Sequence, residues 1–473
     1  MASPSSLLTA AAKADRSAPA VGWIVTALSF GFAVVQLDVT IVNVALPALG
    51  RDLRADVAAL QWTVDAYTLA FAALLPSAGV IGDRLGARGA YLAGFAIFAL
   101  ASVACAFAPD AAWLIVARAG QGLGAALLVP TSLALVNRAS GHDAKLRARS
   151  VGLWTAAGGV SIALGPVIGG LLLAAGGWRS IFWVNAPLCA IGAALTLWRV
   201  ARAPANRQGR GLDLPGQGLA AVCLAALIGA VIEARPLGLL HPFVLGGLLL
   251  SAIAAAAFVA VEARVKSPML PLAFLRLPSF SPAVLFGVAV NTAYYGMLFV
   301  LSLYLQKVLG FTALQAGLAY LPLTATFIVA NIASGWVVGR LGSRAPMVLG
   351  AAICAGGYGL LLRLGPHSSF LDMLPAFAMI PGGMGLGVPA MTTAILASVE
   401  PKDTGVASAV LNTARQAGGA VGVALFGALA TGAADRIVTG LHQSTLISAV
   451  AVAGAGLLAW RGVGGRPASP HSR

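Results

Sequence analysis

Long apolar runs separated by short polar links dominate the chain, and each run is about the length that carries a helix across a hydrocarbon core. Read in order, they predict a first group of six spans, at Gly22–Leu46, Leu60–Ile81, Ala90–Phe107, Trp113–Val136, Val151–Leu173 and Ser180–Trp198. Two more follow at Gly216–Ala234 and Pro242–Val261. A second six lies at Pro282–Leu305, Gln315–Val338, Met347–Leu362, Leu374–Ala397, Gly405–Leu429 and Ser444–Trp460, fourteen in all. The corresponding organisation is a tail (1–21), a six-helix bundle (22–198), a basic linker (199–215), an extra pair of helices (216–263), a second linker (264–281), a second six-helix bundle (282–460) and a tail (461–473).

Composition turns this pattern into a membrane protein. Hydrophobic residues make up 59% of the 473 and charged residues only 10%, with a mean hydropathy of +0.90. A soluble domain has no means of burying so much apolar surface. The runs lack the alternation of a membrane barrel, so an all-α polytopic fold is expected. A net charge of +15 would suggest nucleic acid for a soluble protein, but here the basic residues occupy short loops and set topology instead. With the N-terminus inside, 21 of the 30 Lys and Arg fall on the inner side, 7 on the outer and 2, Arg118 and Arg415, within spans. This asymmetry predicts cytoplasmic termini, in a multi-pass protein of the cell (inner) membrane with no cleavable signal.

The halves also share a short repeat. Gly79–Arg88 aligns without a gap on Gly335–Arg344, with five identities, and each copy lies between the second and third spans of its own six. Two parallel halves are the expected signature of a transporter that rocks about a central site.

Charges inside spans are costly and mark function. Asp38 lies about 13 Å below Pro47, which is taken as the outer end of the first span; Asp65 lies about 8 Å in from Leu60, and Arg118 about 8 Å in from Trp113. All three fall in the outer half of one bundle; if they face one another, Arg118 lowers the proton affinity of the carboxylates while burial and mutual repulsion raise it, which is how a site becomes titratable near neutrality. Asp38, Asp65 and Arg118 are therefore the expected proton-coupling residues, with a purely structural Asp38–Arg118 anchor as the alternative. For Asp65 two readings stay open: counter-charge for a cationic solute, aided by aromatic faces such as Trp62, Tyr294 and Tyr295, or an acid solvated at headgroup level. The expected substrate cavity comprises Asn43, Trp62, Tyr67, Asn291, Tyr294, Tyr295, Asn412, Arg415 and Gln416. The extra pair of spans carries no charge at mid-depth and is expected to be peripheral.

Several motifs resemble one family. Gly79–Arg88 (GxxxDRxGxR) resembles the signature loop of the major facilitator superfamily, Arg118–Gly124 its RxxQGxG motif, and Gly165-Pro166-Val167-Ile168-Gly169-Gly170 its GPxxGG antiporter motif. Three further stretches resemble the fourteen-spanner drug:proton antiporter branch: Asp38–Pro47, Trp178–Phe182 with Asn185 and Pro187, and Asn412–Gly419. Trp62, Asp65 and Tyr67 resemble the second span of quaternary-ammonium exporters. The resemblance covers nearly the whole chain. It implies two six-helix bundles plus two extra central helices. It also implies a conformational latch at Gly79, Asp83, Arg84, Gly86 and Arg88, for which plain loop topology is the alternative, and an exporter motif at Gly165, Pro166, Gly169 and Gly170, for which ordinary small-residue packing is the alternative.

The expected function is proton-coupled export, by alternating access, of amphipathic and possibly cationic toxic compounds or antibiotics. Protons, the small-molecule substrate and the bilayer are the partners; the protein is expected to be a monomer with no nucleic-acid partner. The proton motive force serves as energy source and no cofactor is expected, since the four cysteines and five histidines form no ligand set and no GxxxxGK[ST] nucleotide loop is present. No nucleophile–base pair argues for an enzyme. The rivals are a transporter of the same fold for a siderophore, an amino acid or a self-made metabolite, and a non-transporting membrane sensor.

Overall fold

A computed structural model describes residues 4–140, 144–201, 213–265, 268–400, 403–430 and 432–464. Among these the regular structure is helical throughout. Twelve helices are long and apolar enough to cross a membrane, thirteen when a bent fifth helix counts as one span. The chain is thus a multi-pass membrane protein, and helices are the form in which most backbone polar groups of a span are satisfied without water.

The first group is α1 (Pro4–Asp52), α2 (Val57–Leu85), α3 (Ala87–Ala106), α4 (Ala111–Ala139), α5 (Ala144–Gly176), and the short α6 (Ser180–Trp183) leading into α7 (Asn185–Arg199). Asp56 and Asp110 start α2 and α4, each accepting the backbone N–H of the third helical residue, Ala59 and Trp113, at 2.8 Å; an acid there also suits the positive end of the helix dipole. α5 bends by 42° between Ile162 and Leu164. Pro166 explains the place, because its ring removes a hydrogen bond to residue 162 and crowds that carbonyl.

The middle pair is α8 (Leu214–Leu237) and α9 (Pro242–Glu262). The second group is α10 (Phe280–Leu303), continued by a π-helical turn at Tyr304–Val308, then α11 (Ala313–Ala319) and α12 (Leu321–Leu341) forming one span, α13 (Arg344–Leu361), α14 (Phe370–Ala397), α15 (Thr404–Leu429) and α16 (Ala434–Gly462). α15 has the length to span but is not among the twelve, since it carries Asn412, Arg415 and Gln416 in its middle. Such a helix is tolerable because protein surrounds it: α10, α2 and α8 all pack against it.

The two groups repeat one packing scheme. α1 lies on α5 as α10 lies on α15, α3 lies on α4 as α13 lies on α14, and α3 meets α7 as α13 meets α16. The sequence repeat has a structural counterpart. Gly86 and Gly342, at aligned positions, end α2 and α12 with φ of 81° and 73°, backbone conformations that glycine adopts without a Cβ clash. Arg88 and Arg344, also aligned, each cap the final helix of their own half, donating to the Leu197 carbonyl (3.0 Å) and the Val463 carbonyl (2.5 Å). The side chain of Asp83 lies outside the described residues; Arg84 is exposed.

Two expectations are corrected here. α1 does not end at Pro47 but continues to Asp52, so Asp38 stands near the middle of the 31-residue apolar stretch Gly22–Asp52, about 21 Å from its end. Nor is α8 peripheral. Gln217 donates to the Ala73 carbonyl (2.5 Å) and accepts from Ser77 Oγ (2.6 Å), clasping α2 on either side of Pro76. Further along α8, Ile228 and Ile232 pack with Ala420 and Ala424 of α15 and with Trp62 of α2. α8 therefore covers the seam between the halves, and α9, packed on α8, presents most of its surface outward.

All the described hydrogen bonds between the two groups lie at the end of the bundle where α1 turns into α2. Ser302 Oγ donates to the Asn43 carbonyl (2.5 Å), Gln306 to the Val44 carbonyl (3.0 Å), and Gln61 to the carbonyls of Val423 (3.2 Å) and Ala424 (2.6 Å). At the same end α5 and α11 touch backbone to backbone. A Cβ on Gly317 would come within 2.2 Å of the Pro166 carbonyl oxygen, and one on Gly170 within 2.7 Å of Leu314 Cα. The molecule is closed at this end.

Candidate functional site

Asp38 anchors a polar network in the first bundle. Its Oδ2 forms an ion pair with Arg118 Nη1, and its Oδ1 accepts from Asn185 Nδ2 (2.8 Å) and Gln121 Nε2 (3.1 Å). Arg118 donates in turn from Nε to the Thr63 carbonyl (3.0 Å) and from Nη1 to Gln121 Oε1 (2.8 Å). Gln121 also donates to Ser102 Oγ (2.7 Å) and accepts from Cys105 Sγ (3.3 Å). Asp38, Gln121 and Asn185 are 0% exposed and Arg118 1%. A charge pair so buried survives only because the surrounding donors and acceptors complete it.

The local sequence explains how the helices come close enough. Arg118 and Gln121, three residues apart, share a face of α4. Just beyond them, Gly122 and Gly124 leave no room for side chains: a Cβ on Gly122 would lie 2.3 Å from the Tyr67 carbonyl oxygen, and one on Gly124 2.7 Å from the Phe98 amide. α2 and α3 therefore approach α4 at backbone distance. Tyr67 is thereby placed with its ring 4.4 Å from the Arg118 guanidinium, which Phe182 faces at 5.9 Å.

Asp65 does not join this network. Thr63 and Tyr67, four residues apart, face α4, whereas Asp65 is two residues from each and points away. It is 0% exposed, and neither carboxylate oxygen has a hydrogen-bond partner. Gln61, one turn earlier on the same side, is the residue that reaches α15.

A separate cleft opens at the seam between α5 and the second bundle. Asn291, Tyr294 and Tyr295 of α10 line it, with Leu323, Thr324 and Phe327 of α12, Met384 and Val388 of α14, Arg415 of α15, and Gly159 and Ile162 of α5. Tyr294 and Tyr295 meet edge to face, ring centroids 5.3 Å apart. With a volume of about 40 Å³ the cleft has room for water but must widen to admit a drug-sized molecule.

Four of the nine residues expected in the cavity line this cleft. Of the others, Asn43 donates to the Val39 carbonyl (3.0 Å) at the closed end, Trp62 packs beside Gly229 of α8, Tyr67 lies against Arg118, Asn412 donates to the Ser408 carbonyl (2.9 Å), and Gln416 is half-buried away from the lining. The GPxxGG stretch faces two ways. Gly165 and Gly169 admit Thr40 and Ile41 of α1, with a Cβ on Gly165 falling 1.9 Å from Thr40 Oγ1, while Pro166 and Gly170 meet α11 across the seam.

Comparison with known proteins settles the family. The model of the Major Facilitator Superfamily matches residues 28–423. This chain belongs to that superfamily. Among its relatives, the methylenomycin A resistance protein of Streptomyces coelicolor is 40% identical over 438 residues, covering 92% of this chain and 91% of the relative. The multidrug resistance protein Stp of Mycobacterium tuberculosis is 37% identical over 403 residues, 85% of this chain and 74% of the relative. The human organic anion transporter MFSD10 (TETRAN) superposes with a TM-score of 0.65 at 15% identity, covering 93% of this chain and 99% of that one. That last likeness shows a shared Major Facilitator Superfamily fold.

Within this superfamily member, sequence reasoning did not single out Gln121, Asn185, Thr63 or Ser102 as site residues. Gln121 had a usable signal, a buried-face amide three residues from an in-span arginine. Thr63 had none, since it contributes only its backbone carbonyl.

Proposed function

We propose that this superfamily member is a secondary exporter that exchanges inward-moving protons for amphipathic toxic compounds or antibiotics. It acts as a monomer, crossing the cell membrane fourteen times with α15 and the bent α5 among the spans and both termini cytoplasmic. The observation that carries the reading is the fully buried Asp38–Arg118 pair at the centre of a span. A proton on Asp38 removes the charge that holds Arg118, and its departure restores the pair, so the network has two arrangements that proton binding selects. Resistance is what the similar proteins from Streptomyces coelicolor and Mycobacterium tuberculosis are named for, and a further relative, from Streptomyces glaucescens, is named for resistance and export, which supports the outward direction.

In this reading the closed end faces the exterior. The hydrogen bonds of Ser302, Gln306 and Gln61, with the α5–α11 contact, form the outer gate, and substrate enters the cleft from the cytoplasm. One proton entering down 100 mV supplies about 2.3 kcal/mol, and each pH unit about 1.4 kcal/mol more. The test is a pH-gradient assay in everted vesicles with dyes, biocides and antibiotics. Protein-dependent collapse of the gradient by at least one compound supports antiport; no collapse by any compound rejects it.

A further inference from the structure

The charge of the cleft bears on what it takes. Among the described residues no Asp or Glu lines it; Arg415 is its one charged side chain. Asp38 is committed to Arg118, Gln121 and Asn185, and Asp65 is absent from the lining. Arg415 itself is incomplete: its Nε is buried with no hydrogen-bond partner. The position is built rather than incidental, because Gly287 of α10 leaves space for the arginine stem, a Cβ there falling 3.2 Å from Arg415 Cγ. Tyr295 and Asn291 of α10 line the same cleft.

The geometry points to a substrate that carries a carboxylate or comparable anionic group, bound by Arg415, with its apolar body against Tyr294, Tyr295 and Phe327. A guanidinium whose Nε–H is buried and unpartnered gains most from a planar anion that accepts two parallel N–H bonds. Aromatic edges and faces accommodate the hydrophobic remainder. A permanent cation finds no counter-charge in this cleft and is repelled by Arg415, so this assignment replaces the cationic substrate expected from Asp65. The inference rests on the exporter reading and gives it an electrical consequence. A proton entering while a monovalent anion leaves transfers two charges in the same sense, so transport is electrogenic, whereas exchange of a proton for a monovalent cation is electroneutral.

The experiment measures uptake into everted vesicles of labelled benzylpenicillin, fusidate and nalidixate beside labelled tetraphenylphosphonium and ethidium, with vesicles lacking the protein as the blank. The expected result is protein-dependent uptake of carboxylates and not of the cations, slowed when valinomycin and potassium remove the membrane potential at fixed pH gradient. Arg415→Gln is expected to reduce carboxylate uptake about 10- to 100-fold, the loss of a charge-assisted hydrogen bond, with Arg415→Lys recovering part of it. Thermal unfolding of the purified variants in detergent separates this from misfolding, and the comparison of anions with cations in the parent protein needs no variant. Electroneutral uptake of the cations, or parental carboxylate uptake by well-folded Arg415→Gln, overturns the proposal while leaving export intact. Uptake of neither class overturns the proposal, while the exporter reading stands or falls on the wider gradient assay.

Discussion

Arg118 pairs with Asp38 and leaves Asp65 without a partner, although both acids stand on helices that pack against α4. The difference is one of azimuth on α2, and it divides the buried acids into one held by a full set of donors and one held by none. Removing either acid therefore has opposite consequences for stability.

Asp38→Ala leaves Arg118 as an unpaired buried cation and is expected to lower stability by about 3–5 kcal/mol. Adding Arg118→Met removes that cation and is expected to restore most of the loss. Thermal unfolding of the two variants in detergent checks this; a double variant no more stable than Asp38→Ala contradicts the pairing.

Asp65→Leu removes a polar group buried without hydrogen bonds, and is expected to leave stability unchanged or to raise it. If Asp65 takes part in proton coupling, the same variant loses gradient-driven transport. A well-folded Asp65→Leu protein that transports normally shows Asp65 to be dispensable, and a destabilised one shows that it has a partner.

The closed end depends on backbone contact at Gly317 and Pro166. Gly317→Ala places a methyl group where the Pro166 carbonyl oxygen lies 2.2 Å away, so it is expected to shift the population toward molecules open at that end. Spin labels at Ala175→Cys and Lys307→Cys, both exposed positions there, should report a longer distance in the variant; an unchanged distribution counts against a gate at this contact.

α8 is clasped to α2 by Gln217. Gln217→Leu deletes the bonds to Ala73 and Ser77 and is expected to cost about 1–3 kcal/mol, with Ser77→Ala adding little once Gln217 is gone. Additive losses in unfolding measurements on the single and double variants contradict a shared contact.

Much of this architecture is legible in the sequence because the bilayer constrains it so strongly. Run length and composition anticipated an all-helical membrane fold, and the repeat at Gly79–Arg88 and Gly335–Arg344 anticipated two parallel halves; that its aligned glycines end helices and its aligned arginines cap others is visible only in the structure. Residue counting along a helix yields depth but not the direction a side chain faces, which is why Asp65 and Arg118 look like companions at similar depth and are not. Periodicity held part of the answer, since Thr63 and Tyr67 share one face of α2 and Asp65 cannot share it with them. The cleft was half legible for a related reason: Tyr294, Tyr295 and Asn291 lie on a buried helix, whereas the exclusion of Trp62 depends on α8, whose place at the seam is a matter of tertiary packing.

The most direct test of proton coupling at Asp38 compares two fluxes in one set of everted vesicles, using the parent protein and Asp38→Asn with a substrate the parent transports. Asn has nearly the same shape but cannot exchange a proton. The account predicts that Asp38→Asn abolishes substrate-driven proton flux while still equilibrating labelled substrate across the membrane. Proton flux at the parental rate in a well-folded Asp38→Asn protein would contradict it.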